Sequence, residues 1–286
     1  NALSSDAIAS ISTKAVVGLL NSQIADMTSE NVAYLTFSQI GALSSSQINS
    51  LSPEAFGSIN YHAIKGLKVD QIQELDSVLA QEFTSDQISQ LNSTQIGALS
   101  YENFNSLNGS AISAIMPTAI RGLSADVLGE LSPIKAAFIT SDQIAEFNST
   151  QIEALSEDVL EALSDGLIGY ITVSAIKGLQ TEYLSSDKAS ELSYKQTAAF
   201  SVSQITNLSY AALNALSSDA VAAITSASFV ALDESQLSNL EGDTVANFTS
   251  KQIKALSSDE LNALTTDAFA SISSSAIIGL TIDQLE

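Results

Sequence analysis

Apolar residues recur along nearly the whole chain at a spacing of three and then five positions. Cut into blocks of eight, residues 36–67 read TFSQIGAL, SSSQINSL, SPEAFGSI, NYHAIKGL, and residues 249–280 read TSKQIKAL, SSDELNAL, TTDAFASI, SSSAIIGL. The consensus octad is [S/T]-x-x-[Q/A]-[I/L/V/F]-x-x-[L/I/F], and the pattern returns about 35 times, the kind of internal repetition that marks a stacked architecture. Positions 5 and 8 are the apolar ones, as in Ile40 and Leu43 or Ile48 and Leu51. A strand needs apolar residues at every second position, and this spacing does not supply them. Two residues three apart share one face of a helix, but eight residues at about 100° each overshoot two turns by about 80°. A single long helix would scatter its apolar side chains around the cylinder. The chain must therefore turn after each octad or each pair of octads.

The polar positions mark where it turns. Position 1 is usually Ser, Thr or Asn and position 4 is often Gln, which together make a capping box: the hydroxyl accepts from the third backbone N–H and the Gln reaches back. Acidic residues recur at position 3 (Asp6, Asp70, Asp86, Asp142, Asp219, Asp259, Asp267), where the start of a helix favours negative charge. All three prolines, Pro53, Pro117 and Pro133, stand at position 2, the first helical residue, where a missing N–H costs nothing. Each octad is thus predicted to be a two-turn helix that ends at its leucine and passes directly to the next cap. Val69–Phe83 is predicted to be a fused helix, since Ile72, Leu75, Leu79 and Phe83 fall on one face without a strong breaker.

A longer period overlies the octad. Pairs such as SPEAFGSI-NYHAIKGL and NGSAISAI-MPTAIRGL recur, and their closing leucines, Leu19, Leu67, Leu123, Leu179, Leu232 and Leu280, are 48, 56, 56, 53 and 48 residues apart. Six octads form the basic module, an extra octad enters twice, and a five-residue slip, 180–184, enters once. Modules of this size stacking on one another predict an all-α solenoid, a superhelix of short capped helices with one module per superhelical turn. Side chains at positions 5 and 8 should point inward, and positions 2, 3, 6 and 7 should mostly face water. Residues 1–286 are expected to form a single continuous repeat solenoid. Asn1-Ala2-Leu3 matches the tail of an octad and the chain stops within TIDQLE, as expected of a segment from a longer array.

Composition narrows the function. The 286 residues include ten Lys+Arg against 32 Asp+Glu, a formal charge of −22. That charge opposes nucleic acid, whose binding rests on basic groups neutralising phosphate. No apolar run approaches the roughly 20 residues that cross a bilayer, so membrane insertion is not expected. With no cysteine and one histidine, the chain lacks disulfides, a thiolate nucleophile and the usual zinc ligands.

The octad L-[S/T]-x-x-Q-[I/V]-x-A-L, in passages such as TSDQIAEFNSTQIEALSED and LTFSQIGALSSSQINSLS, resembles the tandem octapeptide stretches of very large bacterial surface or secreted proteins of the adhesin type. A second likeness is to the superhelices of the mesothelin and stereocilin group. Both resemblances imply an extracellular adhesion or scaffold role, and neither brings a catalytic residue.

Few side chains stand out as candidate chemistry. His62, at position 3 of NYHAIKGL, has no second His or Cys to complete a site, and a solvated role suits it better. The position-3 acids lack the Gly-bearing loop of repeat calcium sites, and helix-start compensation explains them. Lys65, Arg121 and Lys177 share position 6 at intervals of 56 residues, so a regular solenoid would align them in a stripe. Such a stripe is either an anion-binding edge, for instance for acidic glycans, or favourable charge near helix C-termini. Their neighbours Gly66, Gly122 and Gly178 are expected to permit close backbone packing. The Asn-x-Ser/Thr sequences at Asn92, Asn108, Asn148, Asn207 and Asn247 are as frequent as the composition alone would give. No catalytic residue, metal site or cofactor is expected, and an enzyme is the least favoured class. The expected role is a structural or adhesive spacer at the cell surface or outside the cell. Its partners would be neighbouring repeats, itself head to tail in a filament, or a surface protein or glycan held on a concave face.

Overall fold

The computed structural model describes residues 4–285; Asn1, Ala2 and Leu3, read above as the tail of an octad, and Glu286 lie outside the described residues. Among the described residues there are 32 α-helices of four to six residues, four single turns of 3-10 helix and no strand. The octad boundaries fall where the caps place them. Ser44 accepts from the N–H of Gln47 at 3.1 Å and Thr84 from that of Gln87 at 3.2 Å. Pro53, Pro117 and Pro133 each open a helix.

The predicted fused helix does not form. Val69–Gln73 ends, and Ser77–Ala80 begins afresh behind Asp76, whose side chain accepts from the N–H of Val78 at 2.9 Å. Asp76 is a helix cap in its own right, and its carboxylate is the breaker that the apolar pattern concealed.

The chain divides into two compact units, one ending at Glu146 and the other starting at Phe147. Both coil in the same way: within each unit helices pack mainly on the third helix before or after them. In the first unit one such column runs through helices starting at residues 21, 45, 69, 93, 117 and 141, a constant advance of 24 residues. In the second, Val202–Asn207, Ser226–Phe229, Ser250–Ala255 and Ser274–Ile277 stack likewise. A turn of the solenoid is therefore three octads. The expectation of one six-octad module per turn is corrected: the module spans two turns, because each corner swings the chain further than the long period alone discloses.

The inside of each coil is a packed core. Position 5 is almost completely buried (Ile24, Ile40, Ile48, Ile72, Ile144, Ile205, Ile253), and position 8 closes the layer with Leu43, Leu67, Leu123, Leu208 and Leu256. Aromatic residues join it edge to face across successive coils, Phe56 against Phe83 at 5.1 Å and Phe229 against Phe248 at 4.6 Å between ring centroids. Among the described residues these side chains fill the interior of each coil.

Octads at 164–184 depart from the α-helix. Gly166 takes φ 83°, which interrupts a right-handed start, and Ile168–Tyr170 and Ile176–Gly178 are single 3-10 turns. The five-residue slip forms a third such turn, Thr181–Tyr183, which occupies the place of a whole octad in the coil.

Candidate functional site

Position 4 is the side chain that joins one coil to the next. The amide oxygen of Gln143 accepts from the N–H of its own cap residue, Thr140, at 3.0 Å, while its Nε2 donates to the carbonyls of Ile112 and Ile115, both at 2.8 Å. Those acceptors lie 31 and 28 residues earlier, at positions 5 and 8 of the octad four before, where the preceding helix ends; the Ile112 carbonyl also accepts from the N–H of Ile115 at 3.1 Å. One amide thus caps the start of one helix and the end of another. The same staple recurs at Gln39, Gln47, Gln71, Gln87 and Gln95 in the first unit and at Gln236 and Gln252 in the second. Beyond the shortened octad, Gln196 and Gln204 reach back 28 and 25 residues instead. The lost residues come out of the loop length, and the bonding partners are kept. Lysine replaces the amide twice: Lys135 Nζ donates to the carbonyl of Leu107 at 2.5 Å and Lys188 Nζ to that of Leu163 at 2.6 Å. Lys188 is buried, with Asp165 and Glu191 each 3.6 Å from its ammonium, so its charge is compensated.

The local pattern reveals only half of this residue's work. The sign of the other half is that Gln71 persists where position 1 is Lys68, a side chain that cannot complete a capping box.

Position 6 carries a second link. Asn105 donates from Nδ2 to the carbonyl of Glu130 at 2.9 Å and accepts from the N–H of Ser132 at 2.9 Å, pairing with the following coil as a backbone would. Asn49 brackets Glu74 and Asp76 in the same way, and Asn214 brackets Asn239 and Glu241. Glycine at position 7 lets coils touch backbone to backbone: a methyl on Gly66 would strike the carbonyl of Phe37, one on Gly122 that of Ser93, and one on Gly178 that of Ser149.

Three helices per turn dissolve the basic stripe. Lys65 follows Tyr61–Ile64, which stacks on Phe37–Ile40 and Ser85–Ile88, whereas Arg121 follows Pro117–Ile120, which stacks on Ser93–Ile96 and Ser141–Ile144. An interval of seven octads is two turns and one helix more, so Lys65 and Arg121 stand on different faces of the first unit. Arg121 is moreover occupied, its Nε and a terminal nitrogen both meeting Glu146. Lys177 follows a 3-10 turn in the second unit.

His62 lies on the outer surface, its ring 4.0 Å from that of Tyr61. The position-3 acids occupy first helical turns, and no three His, Asp or Glu side chains converge on a metal-sized point among the described residues. No helix among them is long and apolar enough to cross a membrane.

The outer faces carry shallow grooves between coils. One of about 450 Å3 is lined by Gln73, Tyr101, Asp126 and Glu130, among others. There the Glu102 carboxylate, accepting from the Tyr101 phenol, raises the phenol's pKa, with Glu130 adding to the effect. The pKa of Glu102 is lowered, first by its own backbone N–H and then by that phenol. A second groove, of about 600 Å3, is lined by Phe37, Lys65, Lys68, Val69 and the segment 92–95.

No protein-family model matches the chain, and no curated protein does. The solved structure of the leucine-rich repeat-containing protein LegL7 from Legionella pneumophila is similar over 84% of this chain and 78% of that one, at 14% identity. The TM-score is 0.20, which bears on neither fold nor function.

Proposed function

We propose that this chain is a non-enzymatic repeat segment of a large extracellular protein, serving as a spacer or adhesive scaffold at the cell surface. The observation that carries the reading is the Gln143 type of staple, in which, within each unit, side-chain amides of one coil bond the backbone carbonyls of the coil before it. Such a chain is stabilised by nearest neighbours and lengthens by adding turns, which suits it to setting distances. The acidic, Ser- and Thr-rich exterior supports a role in water among other chains, since like charge discourages indiscriminate association. The octapeptide resemblance favours the cell surface over the cell interior.

The test combines length with location. Inserting one 24-residue turn, then two, should raise the maximal dimension measured by small-angle X-ray scattering in equal steps. Protease treatment of intact producing cells should remove the segment. Uneven steps, or a segment protected until the cells are lysed, would refute the spacer reading.

A further inference from the structure

We infer that the groove between Lys65 and Lys68 holds an acidic saccharide, its carboxylates on the two ammonium groups and a sugar face against Phe37. The charge pattern singles this groove out. The chain carries 32 acidic residues against ten basic ones, yet no carboxylate lines this site. Two other outer grooves are acidic, one carrying Glu234, Asp259 and Glu260 and another Asp126 and Glu130, and none but this one is lined by lysine among those described. Lys65 and Lys68 are both exposed, and neither belongs to an ion pair among the described residues. Arg121 and Lys188, by contrast, are engaged with carboxylates.

The two lysines flank a corner that is held at both ends. Gln95 Nε2 donates to the carbonyl of Lys65 at 3.0 Å and to that of Leu67 at 2.7 Å, and Gly66 packs against the backbone of Phe37. The positive groups therefore rise from a fixed base, which lowers the ordering cost of binding. Beside them Phe37 is 52% exposed. It also borders an adjoining depression of about 330 Å3 that includes Tyr34 and His62. An open aromatic face, two unpaired ammonium groups and the polar side chains of Asn92, Ser93 and Thr94 suit a carboxylated sugar. An acidic peptide would use the charges and leave the aromatic face without a role.

The inference concerns an outer face and is independent of the spacer reading, which is tested by length and location. Purified protein at low ionic strength would be titrated by NMR with trigalacturonate, neutral maltotriose and triglutamate. Trigalacturonate should shift resonances of Phe37 and of the corner 65–68, and maltotriose should not. Lys65→Gln with Lys68→Gln, and separately Phe37→Ser, should each weaken binding about tenfold or more while leaving the circular dichroism unchanged. Absence of trigalacturonate shifts in the wild-type protein would overturn the inference. So would equal binding of maltotriose, or triglutamate binding as tightly without any dependence on Phe37.

Discussion

Gln71 donates to the carbonyl of Leu43, 28 residues earlier, at 2.6 Å, and the same side chain accepts from the N–H of Lys68 at 2.6 Å. Two helix ends in successive coils are thereby satisfied by one amide. Removing that amide leaves the Leu43 carbonyl without a donor, which is more costly than losing an ordinary exposed bond. Gln71→Ala is expected to lower local stability by about 1–3 kcal/mol. Hydrogen exchange of amides on both sides of the staple reads this locally, as suits a repeat chain that need not unfold in one step.

Gln143→Glu should behave differently with pH. An ionised carboxylate would face the carbonyl oxygens of Ile112 and Ile115, so its folded pKa should rise above the unfolded value of about 4.3. Stability linked to this group is full below the unfolded pKa and is lost as pH rises through the folded one. Thermal melts of the variant should approach those of wild type in acid and fall away towards neutrality. Parallel curves across that range would refute the geometry.

Gly122 and Gly18 share position 7 but not surroundings. A methyl on Gly122 meets the backbone of Ser93, whereas one on Gly18 finds its nearest neighbour, the carbonyl oxygen of Ala15, at 3.4 Å. Gly122→Ala should destabilise by about 1–3 kcal/mol or more through overpacking. Gly18→Ala should be nearly neutral or stabilising by about 0.5–1 kcal/mol, because it restricts the unfolded chain. Paired urea titrations decide between this and a uniform glycine effect.

Asn105 provides a donor and an acceptor to the next coil at once. Asn105→Asp keeps the acceptor towards Ser132 but turns a negative oxygen towards the carbonyl of Glu130. The expected loss is about 1–2 kcal/mol, and Asn105→Ala should cost a similar amount. Faster amide exchange at Ser132 in Asn105→Ala, and not in Asn105→Asp, is the accompanying signature.

Tyr101 and Glu102 should titrate in opposite senses. The folded pKa of Glu102 is lowered, so its contribution is present above the unfolded carboxyl pKa and is lost as pH falls through the folded value. That of Tyr101 is raised, so its contribution is full below the unfolded phenol value and is lost as pH rises through the folded one. NMR titration should find Tyr101 ionising later in Glu102-containing protein than in Glu102→Gln. No difference between the two would contradict the hydrogen bond.

The apolar pattern and the caps made the helices legible, since Ser44, Thr84 and Pro53 act within their own octads. The buried pair at positions 5 and 8 was readable for the same reason. What the pattern concealed is long-range. Gln71 looks like a local cap, and nothing within eight residues reveals that its other hand grips Leu43. The number of octads per turn depends on the swing of each corner, so the intervals of 48 and 56 suggested one module per turn and an aligned Lys65 and Arg121. Asp76 escaped notice because the face shared by Ile72, Leu75 and Leu79 runs straight across it. Phe37 and Lys68, neighbours across one groove, are 31 positions apart and meet only once three helices close a turn.

The coiling itself is tested most directly by nuclear Overhauser contacts from the side-chain amide of Gln71. A three-octad turn predicts cross-peaks from its Nε2 protons to Ile40 and Leu43, together with slow exchange of those protons with water. Cross-peaks confined to residues 68–75, with amide protons exchanging as fast as those of an exposed glutamine, would contradict it.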